Sequence, residues 1–208
     1  MVIYSTGGKH MRRSTACLIA LSLLILSSCA KQQGEEYFPK VSAGSQWEYV
    51  LQYATPAGTQ NGKLLIRIAG EEKVNGKKYY KQISIISGLS GQETQTSYNR
   101  RGKDGIYKID NIEKDNLEYK SIPFPLTVGS VWTVTTPDGQ LKYRAEKVET
   151  VEMLNRRYEN CLRISYQVDN KGVHVEGVTH LAPGIGEVAC VQKMGENEVT
   201  YVLDRYNL

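Results

Sequence analysis

Residues 124–132 read FPLTVGSVW, and residues 38–47 read FPKVSAGSQW. Both stretches begin with Phe-Pro and end with Gly-Ser-x-Trp. Proline keeps an incoming chain out of a β-ladder and fixes φ. Glycine permits a turn, and a tryptophan can plug the end of a core while its indole N–H finds a partner. The same punctuation used twice predicts two strands entered in the same way.

The echo continues beyond these stretches. After Trp47 and after Trp132 come a strand, a turn at Asn61-Gly62 or Asp138-Gly139, and a second strand starting at Lys63 or Gln140. Further on, GKKYYKQISI matches NRRYENCLRIS, setting Tyr79 against Tyr158 and Ile83 against Leu162. YNRRGKDGIYKI then matches THLAPGIGEVACV, setting Gly105 against Gly186. The pattern predicts two related units of roughly 85 residues, 37–121 and 122–208, with the charged segment Asp110–Ser121 as connector. The competing explanation is chance likeness among β-rich strings.

Alternation gives the fold class. Leu64, Ile66 and Ile68 share one face of a run, and Tyr79, Lys81, Ile83 and Ile85 share another. Tyr158, Leu162, Ile164, Tyr166 and Val168 do the same. A period of two marks half-buried, mostly antiparallel strands. Asn75-Gly76 and Asp104-Gly105 are hairpin signals. Ala145, Val148 and Val151 have helical spacing, but Thr150 and Val151 favour a strand carrying a bulge. The expectation is an all-β protein whose antiparallel sheets form one open barrel or a sandwich.

The N-terminus differs in kind. Arg12 and Arg13 precede an apolar run, Cys17–Leu26, and then Leu26-Ser27-Ser28-Cys29. This is the order of a secretory signal peptide. The run is short of the ~20 residues of a bilayer span. Met11 is a candidate start, since residues 1–10 carry no signal-like pattern. The Leu-Ser-Ser-Cys ending resembles the bacterial lipobox. That resemblance implies cleavage after residue 28 and lipid attachment at Cys29; the alternative is an ordinary signal with an incidental cysteine. Residues 29–36 then form a tether. Ala30 and Lys31, in place of aspartate, resemble outer-membrane sorting in enteric-type bacteria.

Removing Lys9, Arg12 and Arg13 takes the net charge from +4 to about +1, which leaves no electrostatic footprint for nucleic acid. No Gly-x-Ser-x-Gly elbow, His-Glu-x-x-His, P-loop or Cys-x-x-Cys occurs. His174, Glu176 and His180 share a strand face, but six residues of strand separate the histidines by about 20 Å, so no metal site is expected. No cofactor is implied, and no enzyme activity. Cys161 and Cys190 form an even pair in an oxidising compartment, which suggests a disulfide. Strand topology argues for two separate thiols instead, because next-but-one strands lie ~9.6 Å apart and a bridge needs Cα atoms within about 7 Å.

The Phe-Pro…Gly-Ser-x-Trp opening and the closing Ala182-Pro183-Gly184-Ile185-Gly186-Glu187-Val188 together resemble a broad group of bacterial envelope lipoproteins. That group is all-β, and it is similar in general shape to LolA/LolB-like open barrels that hold lipid. The resemblance implies a domain in the periplasm or at the cell surface. Two functions are expected from these readings. The first is a non-catalytic, membrane-anchored envelope lipoprotein that acts through protein contacts. The alternative is a carrier or binder of lipid or another hydrophobic ligand.

Overall fold

A computed structural model describes residues 33–88, 91–110, 112, 117–136, 139–170 and 173–208. The signal segment and Cys29 lie outside the described residues. Twelve strands follow a short 3₁₀ turn, Glu35–Tyr37. They are β1 (Gln46–Thr55), β2 (Gly58–Val74), β3 (Lys77–Ser87), β4 (Gln92–Gly102), β5 (Gly105–Ile109) and β6 (Tyr119–Pro123), then β7 (Val131–Thr136), β8 (Gly139–Met153), β9 (Arg156–Asn170), β10 (Val173–Ala182), β11 (Gly186–Met194) and β12 (Asn197–Asn207).

All twelve form one antiparallel, nearly closed barrel-shaped sheet, in the order β6-β5-β4-β3-β2-β1-β12-β11-β10-β9-β8-β7. Two six-strand meanders are therefore joined where β1 pairs with β12. The outer edges, β6 and β7, close on each other through a side chain: the Trp132 indole N–H donates to the Ser121 carbonyl at 3.0 Å. An open edge strand is a hazard for unwanted pairing, and this contact covers part of it.

The opening motif builds the same turn twice. Ser42 N–H donates to Ser45 Oγ at 2.9 Å, and Thr127 N–H donates to Ser130 Oγ at 3.0 Å. Gly44 and Gly129 take φ of 93° and 91°, a left-handed conformation that a β-carbon would strain. Their N–H groups donate to Ile68 O and Ala145 O, and the N–H groups of Ile68 and Ala145 donate back to Ser45 O and Ser130 O. Both long strands then bulge, between Ile68 and Gly70 and between Ala145 and Lys147. The second stretch is thus a bulged strand, as the sequence favoured, with a further register shift between Glu149 and Val151.

Three sequence expectations need correction. Asn61-Gly62 is not a turn; it lies inside β2, and the hairpin forms at Thr55–Gly58, where the Thr55 hydroxyl donates to Gly58 O. The Asp110–Ser121 connector joins β5 to β6 rather than two units, and β6 itself crosses the expected boundary at 121/122. The tether does not extend to residue 36. Gly34 is buried, Tyr37 is buried, and the Gly184 N–H donates to Glu36 O at 2.6 Å. Tyr37 supplies the reason, since its ring joins Phe124, Leu126, Ala145, Leu162, Ile164 and Leu181 in a core cluster.

That cluster and a second one sit on the inner face of the sheet. The second contains Trp47, Tyr49, Ile68, Val151, Tyr158, Cys161, Ala182, Val188 and Leu203. Both occupy the end where the N-terminal segment packs. A small third cluster, Val74, Tyr79, Tyr98 and Ile109, lies on the opposite face.

Candidate functional site

The outer face of β7–β11 is concave. Strand register sets three rows across it. Val131, Arg144, Ser165, Val178 and Val191 stand side by side, one from each strand. Lys142, Gln167, Glu176 and Lys193 form the next row. Arg163 and His180 form the third. Together they line an open groove of about 700 Å³. Register shifts in β8, between Ala145 and Lys147, and in β11, between Glu187 and Ala189, border the groove. Bulges bend a strand and increase its twist, which is how a sheet becomes concave outward.

The charged residues of the groove differ in how they are held. Arg163 Nε donates to Glu146 Oε2 at 2.6 Å, and His180 Nε2 lies 3.0 Å from Glu149 Oε1. Hydrogen bonds from Ser165 and then Arg163 hold the Glu146 carboxyl below its usual range. The hydrogen bond from Lys147, with a further one from His180, does the same for Glu149 against the opposing effect of burial. Among the described residues, Lys142, Arg144 and Lys193 have no ion pair. The groove therefore offers cations outside any ion pair beside a strip of valines. Ser165 and His180 each spend a bond on a different carboxylate, so no serine–histidine pair forms.

The inner face carries a second polar cluster. Trp132 stacks on Tyr143 at 5.1 Å, Tyr143 tilts against Tyr166 at 5.7 Å, and Tyr49 meets Tyr201 edge-on at 5.4 Å. Tyr166 packs against Gly177, where a β-carbon would come within 2.3 Å of the ring. Its hydroxyl donates to Gln192 Oε1 at 3.0 Å. Between these rings sits Glu187. Burial raises its carboxyl pKa, although Thr179 and Tyr201 hydrogen-bond to it and Lys108 attracts it. Tyr143 is pushed up to about 12, mainly by burial. Inward-facing residues such as Ser84, Ser97, Asn99, Thr179, Gln192 and Tyr201 are only half-buried. Twelve strands exceed the about eight whose side chains just fill a barrel.

Cys161 and Cys190, the candidate disulfide, are separate buried thiols. Strand β10 runs between them. Strict alternation along β9 would set Cys161 on the face of Arg163 and Ser165, away from Leu162. Asn160 takes φ of 55° at the register shift opposite Glu149, and this turns Cys161 into the core at 0% exposure. Burial pushes both thiols up to about 11. His174 and Glu176 are exposed on the same face of β10 as His180. Among the described residues, no group of three or more histidine, cysteine, aspartate or glutamate side chains is placed to hold a metal ion.

No family model and no curated protein matches the chain. Several solved structures are similar in shape, among them the following three. A protein described as exported, with a YmcC-like fold, from Bacteroides fragilis is 12% identical, with a TM-score of 0.47 over 82% of this chain and 98% of that one. A protein described as a lipoprotein from Parabacteroides distasonis is 12% identical, with a TM-score of 0.43 over 82% and 98%. A LolA superfamily protein from Nitrosomonas europaea is 10% identical, with a TM-score of 0.32 over 83% and 89%.

Neither the groove nor the position of Glu187 was legible in the sequence. The alternation in VHVEGVTHL identifies a wet face, but nothing in it signals that the face is concave.

Proposed function

We propose that this chain is a non-catalytic lipoprotein of a bacterial envelope, held on a membrane by lipid at Cys29, and that it works through contact. The outer groove of β7–β11 takes an acidic, partly apolar segment of another envelope protein. The observation that carries this reading is the row of Arg144, Ser165, Val178 and Val191 beside Lys142 and Lys193. Apolar burial supplies affinity, and the unpaired cations supply orientation and association rate. Association should weaken with salt, because exposed charges more than about 8–10 Å apart are screened at physiological ionic strength. Outer-membrane sorting and a periplasmic or surface-exposed domain belong to the same proposal. So does the origin of the two six-strand halves in duplication of one unit, which the paired turn bonds at Ser42–Ser45 and Thr127–Ser130 support.

The test uses a photo-crosslinking residue at Gln167, in the groove, and at Gln95 as control. Gln167 should capture a protein, and Arg144→Glu should abolish the capture while leaving the fold intact. Recovery of monomer alone from both positions would sink the reading. Lipid attachment is tested separately. Palmitate should label the wild type and not Cys29→Ala.

A second reading has its own observation: the half-buried inner face, ringed by Tyr49, Tyr143, Tyr166 and Tyr201. It makes the barrel a binder of a lipid or another hydrophobic ligand. Native mass spectrometry of gently extracted protein would find that ligand, and only the apo mass would count against it.

A further inference from the structure

The described chain begins against one loop. Leu126 N–H donates to Gln33 O at 2.8 Å, and a β-carbon on Gly34 would come within 2.5 Å of Leu126 O. Phe38 and Phe124 rings pack at 5.6 Å. Gln33 is therefore fixed beside the segment Phe124–Val131, which joins β6 to β7.

That segment exposes two valines, Val128 at 53% and Val131 at 63%, the most exposed large hydrophobics among the described residues. The fold does not require them. The matching turn before β1 has the same hydrogen bonds and the same glycine conformation, yet it carries Ala43 and Gln46 at the corresponding positions. Two exposed valines stand where the matching turn has a small residue and a polar one.

Gln33 follows Cys29 by four residues, so the two α-carbons lie within about 14 Å whatever path the chain takes. Val128 follows Leu126 by two residues, or about 7 Å. We propose that the Val128–Val131 loop rests on the lipid bilayer itself, with both valines in the interfacial layer. This rests on lipid attachment at Cys29. A bilayer is the occupant because the anchored cysteine holds the loop within reach of the lipid headgroups. The contact orients the barrel. Val131 also lines the outer groove, so that end of the groove faces the membrane and Met194, at the other end of β11, points away from it.

The test uses the full-length lipidated protein in vesicles of phosphatidylethanolamine and phosphatidylglycerol that contain nitroxide-labelled lipid. V128C, V131C and M194C each carry an environment-sensitive fluorophore. The parent protein, whose Cys161 and Cys190 are buried, provides the blank. Flotation of each labelled protein is scored first. Labels at 128 and 131 should be blue-shifted and quenched by the nitroxide lipid, and the label at 194 should show neither effect. The two loop positions are read independently, so misfolding of one variant leaves the other as the test. Labels at 128 and 131 that match 194, in protein that floats, would overturn the inference and leave the anchor standing. Protein that does not float would overturn the anchor, and the inference with it.

Discussion

Glu118 offers the sharpest test of the energetics. It stands just before β6, and its carboxylate meets Tyr79 of the outer cluster of Val74, Tyr79, Tyr98 and Ile109. Lys77 Nζ lies 2.6 Å from Oε2, Arg100 Nε lies 2.5 Å from Oε1, and the Tyr79 hydroxyl donates to the same oxygen. Burial alone would raise this carboxyl. The bonds from Arg100, Lys77 and Tyr79 outweigh it and hold the pKa at about 2, against an ordinary 4.5. Unscreened, that depression corresponds to about 3.4 kcal/mol at 1.36 kcal/mol per pH unit. The Glu118 side chain is 22% exposed and Lys77 is 53% exposed, so solvent reduces the figure to about 1–2 kcal/mol. Because the folded pKa is depressed, the contribution is complete above about 4.5 and is lost as pH falls toward 2. Glu118→Gln should therefore be less stable than wild type at pH 7 by about 1–2 kcal/mol, or roughly 2–8 °C in midpoint for a domain of this size. Urea unfolding across the acid range reads both proteins. The gap should close steadily below pH 4.5. A gap that stays constant down to pH 2, or no gap at pH 7, would refute the argument.

Three further outcomes follow from the packing. Gly177→Ala should lower stability by about 1–3 kcal/mol, because the new methyl overlaps the Tyr166 ring; urea unfolding measures it, and an unchanged midpoint would mean the ring moves freely. Tyr158→Phe should leave stability unchanged or raise it by up to about 1–3 kcal/mol, since the Tyr158 hydroxyl is the one buried side-chain polar atom among the described residues without a hydrogen-bond partner. A clear loss would show that the hydroxyl is satisfied. Cys161 and Cys190, with pKa values raised to about 11 by burial, should resist alkylation at pH 8 in the folded protein and both react in denaturant without reductant. If neither reacts in denaturant, the two are bridged.

Local signals determined much of this protein. The alternation of Leu64, Ile66 and Ile68 needs only a pleated backbone and one apolar face, and those residues do share the inner face of β2. The bulge in Ala145–Leu154 was legible because β-branched residues there break phase within a strand. Gly44 and Gly129 announced their turns because only glycine adopts that φ without strain. Cross-strand geometry decided the rest. Asn61-Gly62 has the composition of a hairpin turn, yet β1 offers it ladder partners in Leu51 and Gln52, and pairing outweighs turn preference. Polar Gly34–Glu36 read as tether, but the buried ring of Tyr37 draws it into the core. The groove depends on residues from five strands, including Val131, Arg144, Ser165, Val178 and Val191, and on bulges that curve the sheet beneath them. Sequence order fixes which way each of those side chains points along its own strand. Curvature and cross-strand neighbours arise only when the strands pair, so the concavity and its charge belong to the tertiary structure alone.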